Sequence, residues 1–240
     1  MSKSEFPKPY QSQIALAGES FSCYGSDFRE IITYTFNNQG YRSNFDYNLN
    51  ESDSLILTLG SSIATGHGLP LEQSFGSLVA DNFRLKSWNL GQGCFRSSNQ
   101  TIFDQINFFV ESNLDIQYFI IQFTHINRMG SRYDSYLELD EQKALDNFCE
   151  LLMRITDLLS DKNWCWVLMD YSQADFPTWV TNHPNLISID PDIIDHVPVE
   201  QYQHLAPTSI SLKNLSAHPG VQWHRNMADS IIKYFNEHKS

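Results

Sequence analysis

From residue 55 onward, short apolar runs typical of buried strands alternate with longer segments that carry apolar residues at helical spacing. The runs cover residues 55–59, 87–90, 118–123 and 164–169, and the helical segments cover residues 70–84, 102–110, 144–159 and 219–235. The run 118–123 is apolar on both faces, which is typical of a central strand in a parallel sheet. This alternation predicts an α/β fold, because parallel strands need crossover connections between them.

The first 50 residues follow a different pattern and are predicted to form an N-terminal extension that packs on the main domain, residues 51–240. Residues 31–36 alternate like a strand and are followed by a turn at residues 37–40. A chain of 240 residues can bury a full core without dividing into two domains. A short last strand is predicted at residues 186–189, and residues 190–217 form a predicted loop long enough to suggest a functional role.

The net charge of −12, without dense clusters of Lys or Arg, argues against nucleic acid as a partner, because phosphate binding needs concentrated positive charge. The same charge disfavours anionic membrane surfaces, and no apolar run approaches the roughly 20 residues that a spanning helix requires. The first residues lack the apolar centre of a secretory signal, so we expect a cytoplasmic protein. The four cysteines are scattered, so we expect reduced thiols and no structural zinc.

Three loops rich in small and polar residues follow three of the predicted strands. They cover residues 60–68, 91–94 and 124–128. In an open α/β sheet the ligand site lies at the carboxyl ends of the strands, near the point where strand order reverses. These loops are therefore the expected location of a functional site.

The first loop and a segment near the C-terminus resemble two sequence blocks of the SGNH (GDSL-like) hydrolases. Residues 60–66 read Gly-Ser-Ser-Ile-Ala-Thr-Gly and are similar to the family's Gly-Asp-Ser-x-x-x-Gly. The resemblance places Ser62 as the nucleophile and Ser61 where the family usually has aspartate. Residues 216–220 read Ser-Ala-His-Pro-Gly and resemble the block that holds the catalytic histidine, here His218. A serine hydroxyl becomes nucleophilic when a base within hydrogen-bond reach accepts its proton, so this pairing is chemically sound.

Residues 89–93 look like the family's second block, whose glycine contributes an N–H group to the oxyanion hole, and the resemblance places that glycine at Gly93. The backbone N–H of Ser62 is a further donor by the same resemblance. The family also implies a three-layer sandwich with a flavodoxin-like, mostly parallel sheet and helices on both faces. It implies a reaction that needs no metal and no cofactor.

The predicted triad lacks a carboxylate at the position where the family carries one. That aspartate falls here on Leu215 or Ser216, neither of which stabilises an imidazolium as a carboxylate does. The preceding loop offers Asp190, Asp192 and Asp195 as replacements, and a Ser-His dyad is equally open.

The family's third block, Gly-x-Asn-Asp, is also altered. Residues 124–128 read Thr-His-Ile-Asn-Arg, so Asn127 is aligned as an oxyanion donor only with one inserted residue, and Thr124 or His125 are substitutes. Arg128 is a candidate for binding a substrate carboxylate or phosphate, which the fork geometry of a guanidinium favours.

Other polar residues near these blocks receive structural interpretations. His224 is expected to pack on the last helix or face solvent, and His67 is expected to have a structural role or lie at the substrate rim. Cys94 is interpreted as a small buried thiol. Arg42 is expected either to form a structural salt bridge or to line the cleft.

The resemblance predicts hydrolysis of a small acyl ester, for example an O-acetyl group on a sugar or metabolite, through an acyl-enzyme on Ser62. The expected partner is a small-molecule ester. One alternative is a binding or scaffold protein that keeps the fold without efficient chemistry, which the missing aspartate and the altered third block motivate. Another is an acyltransferase that uses the same serine and excludes water.

Overall fold

The structure is a computed structural model and describes residues 16–24, 31–92, 98–126, 128–129, 140–168, 176–187 and 219–238. Its strands are β1 (Ser20–Tyr24), β2 (Ile31–Thr35), β3 (Leu55–Leu59), β4 (Lys86–Asn89), β5 (Ile116–Phe123) and β6 (Trp164–Leu168). Its helices are α1 (Phe75–Phe83), α2 (Asn99–Val110), α3 (Glu141–Leu158), α4 (Thr178–Thr181) and α5 (Val221–Glu237), and a 3₁₀ turn covers Leu71–Gln73. Among these helices, none has the length and apolar composition needed to cross a membrane.

Strands β3 to β6 form a parallel sheet in the order β4-β3-β5-β6. The chain passes from β3 to β4 on one side and then to β5 and β6 on the other, so strand order reverses between β3 and β5. Beyond β6, Leu186 forms a parallel bridge with Trp166, at the place of the predicted last strand. This order is flavodoxin-like, as the resemblance implied.

Helices cover both faces of the sheet, because successive residues of each strand carry apolar side chains to opposite sides. On one face, Leu57 belongs to a buried cluster with Ile106 of α2 and Phe148 of α3. On the other face, Ile56 belongs to a cluster with Met227 of α5, and α1 contributes to the same cluster. The predicted three-layer α/β sandwich is therefore confirmed.

Helix α1 begins later than the predicted helix over residues 70–84. Ser74 has an extended backbone (φ −67°, ψ 146°) and caps the helix, since its hydroxyl accepts a hydrogen bond from the Ser77 N–H at 3.4 Å. The N–H of Phe75 donates to Nδ1 of His224 at 3.1 Å. The predicted helix is thus divided into a 3₁₀ turn and α1, because two side chains satisfy the N–H groups at the start of α1.

Helix α5 also begins later than predicted. Gly220 is its N-cap, so Pro219 precedes the helix and does not occupy its first turn. Both residues are buried. The rest of α5 packs on the sheet face that it shares with α1.

The segment before β3 is joined closely to the sheet. Strands β1 and β2 pair antiparallel, and the predicted turn after β2 is present, with Gly40 at φ +81°. Farther along, Tyr41 and Tyr47 are buried in the core on the α2 side. The Tyr47 ring stacks on Trp88 of β4, with ring centroids 4.8 Å apart.

His183, which follows α4, joins that short helix to β6. Its Nδ1 accepts hydrogen bonds from Nε1 of Trp166 and from the N–H of Asn185, each at 3.2 Å. Its Nε2 lies 3.1 Å from the hydroxyl of Thr156. Since Nδ1 accepts twice, the ring is neutral with its proton on Nε2, and burial lowers the pKa of His183.

Candidate active site

Of the residues predicted to form the site, the structure describes Ser62, Arg128 and the substitute donors Thr124 and His125. Gly93, Cys94, Asn127, Asp192 and His218 lie outside the described residues, so their roles stay predictions. The neighbours of three of them are described and show where the chain approaches each position.

Ser62 lies on a tight turn that follows β3 at the carboxyl edge of the sheet. The turn is closed by its own backbone, with the N–H of Thr65 donating to the Ser61 carbonyl at 3.2 Å and the N–H of His67 donating to the Ser62 carbonyl at 3.0 Å. The hydroxyl of Thr65 also donates to the Ser62 carbonyl, at 2.6 Å. The half-buried Ser62 is therefore held in a fixed backbone conformation.

The Gln122 side chain fastens the start of this turn to β5. The N–H and the hydroxyl of Ser61 both donate to Gln122 Oε1, at 2.9 and 2.8 Å, while Gln122 Nε2 donates to the Phe123 carbonyl. A carboxylate at position 61 would place its oxygens, which are hydrogen-bond acceptors, next to Gln122 Oε1, which is also an acceptor. Gln122 thus provides a physical reason for a serine at the position where the SGNH family usually has aspartate.

The chain after β4 passes directly beside the turn. Nδ2 of Asn89 donates to the Ala64 carbonyl at 2.8 Å, and the N–H of Gln92 donates to the Gly60 carbonyl at 2.9 Å. Gly91 lies so close that a Cβ there would be 2.7 Å from the Thr65 nitrogen. The predicted oxyanion donor Gly93 follows Gln92 in sequence, so the described chain reaches the serine turn one residue before it.

Tyr47 holds the end of β4 in this position. Its hydroxyl donates to the Asn89 carbonyl and accepts from the Asn89 N–H, each at 2.9 Å. Burial raises the pKa of Tyr47 well above its ordinary value, so the hydroxyl keeps the proton that it donates. The tyrosine therefore satisfies both backbone groups of the residue that contacts the serine turn.

The chain after β5 is held by Asn99, the first residue of α2. Oδ1 of Asn99 accepts from the Thr124 N–H at 3.0 Å, and its Nδ2 lies 3.3 Å from the carbonyl oxygens of Thr124 and His125. The N–H of Asn99 donates to the Arg128 carbonyl at 2.7 Å. Nη1 of the half-buried Arg128 donates to the Thr124 hydroxyl at 3.1 Å. Asn99 thus fixes the backbone on both sides of the predicted donor Asn127, a role the sequence analysis missed.

His224 fastens the start of α5 to the start of α1. Besides accepting from the Phe75 N–H, its ring stacks on Phe75 with centroids 5.5 Å apart and planes 16° apart. His224 is fully buried, in agreement with the predicted packing role. Since α1 starts at the carboxyl edge of the sheet, α5 starts there too, and Pro219 follows directly on the predicted base His218.

Arg42 makes contacts that neither of its predicted roles included. It is 1% exposed, and its guanidinium lies over the Tyr34 ring, 3.9 Å from the centroid. Its Nη1 and Nη2 donate, at 2.5–3.0 Å, to the backbone carbonyls of Thr65, Gly66 and Leu69. Arg42 therefore binds the segment that continues the serine turn, and no sequence pattern indicates a partner made of carbonyl groups.

Within the described ranges, no three His, Cys, Asp or Glu side chains come together in a way that would hold a metal ion. Cys149 and Cys165 are free thiols, and burial raises the pKa of both. A raised pKa disfavours the thiolate, so neither is a good nucleophile.

Comparisons with known proteins find similarity among solved structures. No family profile matches the chain, and no curated protein sequence matches it. Chains of solved structures do match, 33 in number. They include a lipolytic protein of the G-D-S-L family and carbohydrate esterases.

Three of these structures show the extent of the likeness. A lipolytic protein of the G-D-S-L family from Desulfitobacterium hafniense DCB-2 is 12% identical, over 75% of this chain and 98% of its own, with a TM-score of 0.44. A carbohydrate esterase with divergent catalytic and non-catalytic binding functions is 13% identical, over 81% and 68%, with a TM-score of 0.49. A family 2 carbohydrate esterase with a carbohydrate-binding domain, from Corynascus thermopiles, is 11% identical, over 86% and 70%, with a TM-score of 0.44. At these values the likeness says nothing about activity.

Proposed function

We propose that this protein is a serine hydrolase that cleaves a small acyl ester, such as an O-acetyl group on a sugar or metabolite, through an acyl-enzyme on Ser62. The observation that supports this most strongly is the position of Ser62. It lies on a hydrogen-bonded turn after β3, where strand order reverses, and the ends of β4 and β5 are fastened to that turn. This is the edge of a parallel sheet at which ligands bind.

In the proposed reaction, Oγ of Ser62 attacks the ester carbonyl carbon while His218 accepts the hydroxyl proton. The carbonyl oxygen becomes an oxyanion, which the N–H groups of Ser62 and Gly93 and the Asn127 amide stabilise. Loss of one such donor typically costs about 3 kcal/mol of barrier. The bond to the alcohol oxygen then breaks, and the alcohol takes the proton from His218. Water then attacks the acyl carbon while His218 accepts its proton, the bond from that carbon to Ser62 Oγ breaks, and Oγ takes the proton back from His218 as the acid leaves.

The start of α5 supports His218 as the base. Pro219 and Gly220 are buried at the start of α5, which the bond between His224 and the Phe75 N–H ties to the start of α1. Helix α1 itself begins soon after the serine turn. The chain therefore enters α5 at the same edge of the sheet as Ser62, two residues after His218.

Arg128 and Asp192 have supporting roles in the proposal. Arg128 lies half-buried in the loop after β5, the strand next to the one that carries the serine turn, and would bind a negatively charged part of the substrate. Asp192 is the proposed carboxylate partner of His218. An Arg128→Met variant is expected to raise KM for anionic esters more than for neutral ones, and an equal rise for both would contradict this role.

The test is burst-phase hydrolysis of p-nitrophenyl acetate, with mass spectrometry of the intact protein to detect an acetyl adduct. Wild type is expected to give a burst and an adduct, and Ser62→Ala is expected to give neither. Ser61→Ala is the matched control, since it removes the neighbouring hydroxyl, leaves the Ser61 N–H bonded to Gln122 Oε1, and is expected to keep both the burst and the adduct. Equal background rates in wild type and Ser62→Ala would contradict the proposal and favour a binding protein of the same fold.

A further inference from the structure

The Arg42 side chain joins the N-terminal segment to the serine turn by hydrogen bonds to backbone carbonyls. We propose that Arg42 is a positioning residue for Ser62: its guanidinium fixes the peptide groups of residues 65–69 and, through Thr65, the backbone of Ser62. This inference rests on the proposed function of Ser62. It makes the segment around β2 part of the catalytic unit.

The N–H groups of the segment 65–69 bond mostly within the serine turn, whereas three of its carbonyl groups accept from Arg42. Gly66 and Gly68 have positive φ, +66° and +87°, so the chain there cannot continue a regular helix or strand. Buried carbonyl groups need partners, and the guanidinium of Arg42 donates to three of them, of which the Gly66 carbonyl also accepts from the Leu69 N–H. The N–H of Gly68 donates to the Tyr34 hydroxyl, and the Tyr34 ring lies against the guanidinium. Two side chains of the N-terminal segment thus bind the backbone of this loop in addition to the bonds that it forms within itself.

Thr65 connects the hydrogen bonds of Arg42 to Ser62. Its carbonyl oxygen accepts from Nη1 of Arg42 at 3.0 Å, while its hydroxyl donates to the Ser62 carbonyl at 2.6 Å. Its N–H donates to the Ser61 carbonyl, so both peptide groups that flank the Ser62 Cα depend on Thr65. A change in the position of Thr65 therefore tilts the peptides that aim the Ser62 hydroxyl and N–H.

The chemistry of the guanidinium indicates why arginine occupies this position. A planar fork donates to several oxygens at fixed angles, whereas an ammonium group is a compact point charge on a flexible stem. Burying a cation is also unfavourable unless its donors are satisfied, so Arg42 and the carbonyl groups define each other's geometry. Arg42→Lys keeps the charge and loses the fork, which makes it the informative substitution.

The first test compares Arg42→Lys with Ile155→Val, a destabilising control in the buried face of α3. Arg42→Lys is expected to lower kcat for p-nitrophenyl acetate by about 30-fold or more while KM changes less than about 3-fold, because misplacement of a reacting group affects the chemical step. Ile155→Val is expected to keep kcat at the wild-type level. Amide hydrogen exchange of residues 62–69 is expected to quicken in Arg42→Lys alone.

A second pair of variants covers the case in which Arg42→Lys does not fold. Thr65→Val removes only the hydroxyl and is expected to lower kcat about 10-fold, whereas Thr65→Ser is expected to restore most of the rate. Values of kcat for Arg42→Lys and Thr65→Val within about 3-fold of wild type would overturn the inference.

Failure of the proposed function would be recognised separately. If wild type shows no Ser62-dependent turnover, the exchange measurement alone decides the role of Arg42. Faster exchange confined to residues 62–69 would then support the positioning role, and unchanged protection would overturn it.

Discussion

Replacing Gly91 with alanine is expected to push the serine turn away from the end of β4. A Cβ there would lie 2.7 Å from the Thr65 nitrogen and 3.0 Å from the Ala64 carbonyl carbon and Cβ, none of which has a rotamer to escape into. To reach an ordinary contact of 3.4 Å, the turn must move by about 0.7 Å. Overpacking of this kind costs about 1–3 kcal/mol, and each kcal/mol lowers Tm by about 2–4 °C in a domain of this size.

The loss of activity should exceed what the loss of stability explains. Because a misplacement of about 1 Å can cost about 10²-fold, kcat of Gly91→Ala for p-nitrophenyl acetate is expected to fall about 10- to 100-fold at a temperature where the protein is fully folded by circular dichroism. Gly76→Ala is the control, since its Cβ would clash with Oγ1 of Thr58 and lie 2.9 Å from the Thr58 Cβ, between α1 and β3. If Gly91→Ala lost no more kcat than Gly76→Ala at a similar loss of Tm, the steric reasoning would be refuted.

Three further predictions concern stability. Gln122→Leu removes the acceptor of the buried Ser61 N–H and is expected to cost about 1–3 kcal/mol in urea unfolding; an unchanged midpoint would contradict this. Tyr47→Phe leaves the N–H and carbonyl of Asn89 without their hydroxyl partner and is expected to cost a similar amount, about 1–3 kcal/mol, whereas equal stability would show that those groups find other partners. In the folded protein the pKa of His183 lies below its ordinary value of 6.5. The stability that the neutral ring contributes is therefore fully present above pH 6.5 and is lost as pH falls through the folded pKa. His183→Gln is expected to flatten the stability profile in that window, and an equally steep profile in the variant would refute the assignment.

The strands of the sheet were predictable because a parallel strand covered on both faces needs a continuous apolar run. The runs at residues 55–59 and 118–123 lie within β3 and β5. The start of α1 was predicted wrongly, since it depends on the Ser74 cap, which apolar periodicity does not register, and on His224, which lies 149 positions away in sequence from Phe75. Local periodicity carries no information about such a cap.

The location of Ser62 was also predictable, because the carboxyl edge of a parallel sheet gathers the loops that follow its strands. The side chains that hold Ser62 in this location were not predictable. Gln122 stands in the apolar run of β5, and its partner Ser61 is distant in sequence. Arg42 binds carbonyl groups, which every residue carries, so the sequence offers no pattern that would distinguish its partners.

The measurement that tests the central claim most directly is labelling with a fluorophosphonate, which phosphonylates activated serines, followed by peptide mapping and rate measurement. Wild type is expected to gain one phosphonyl group, on Ser62. The labelling rate of His218→Ala is expected to be lower by about 10²-fold or more, as loss of a general base predicts. Labelling of a different residue, or a His218→Ala variant that reacts at the wild-type rate, would contradict the account.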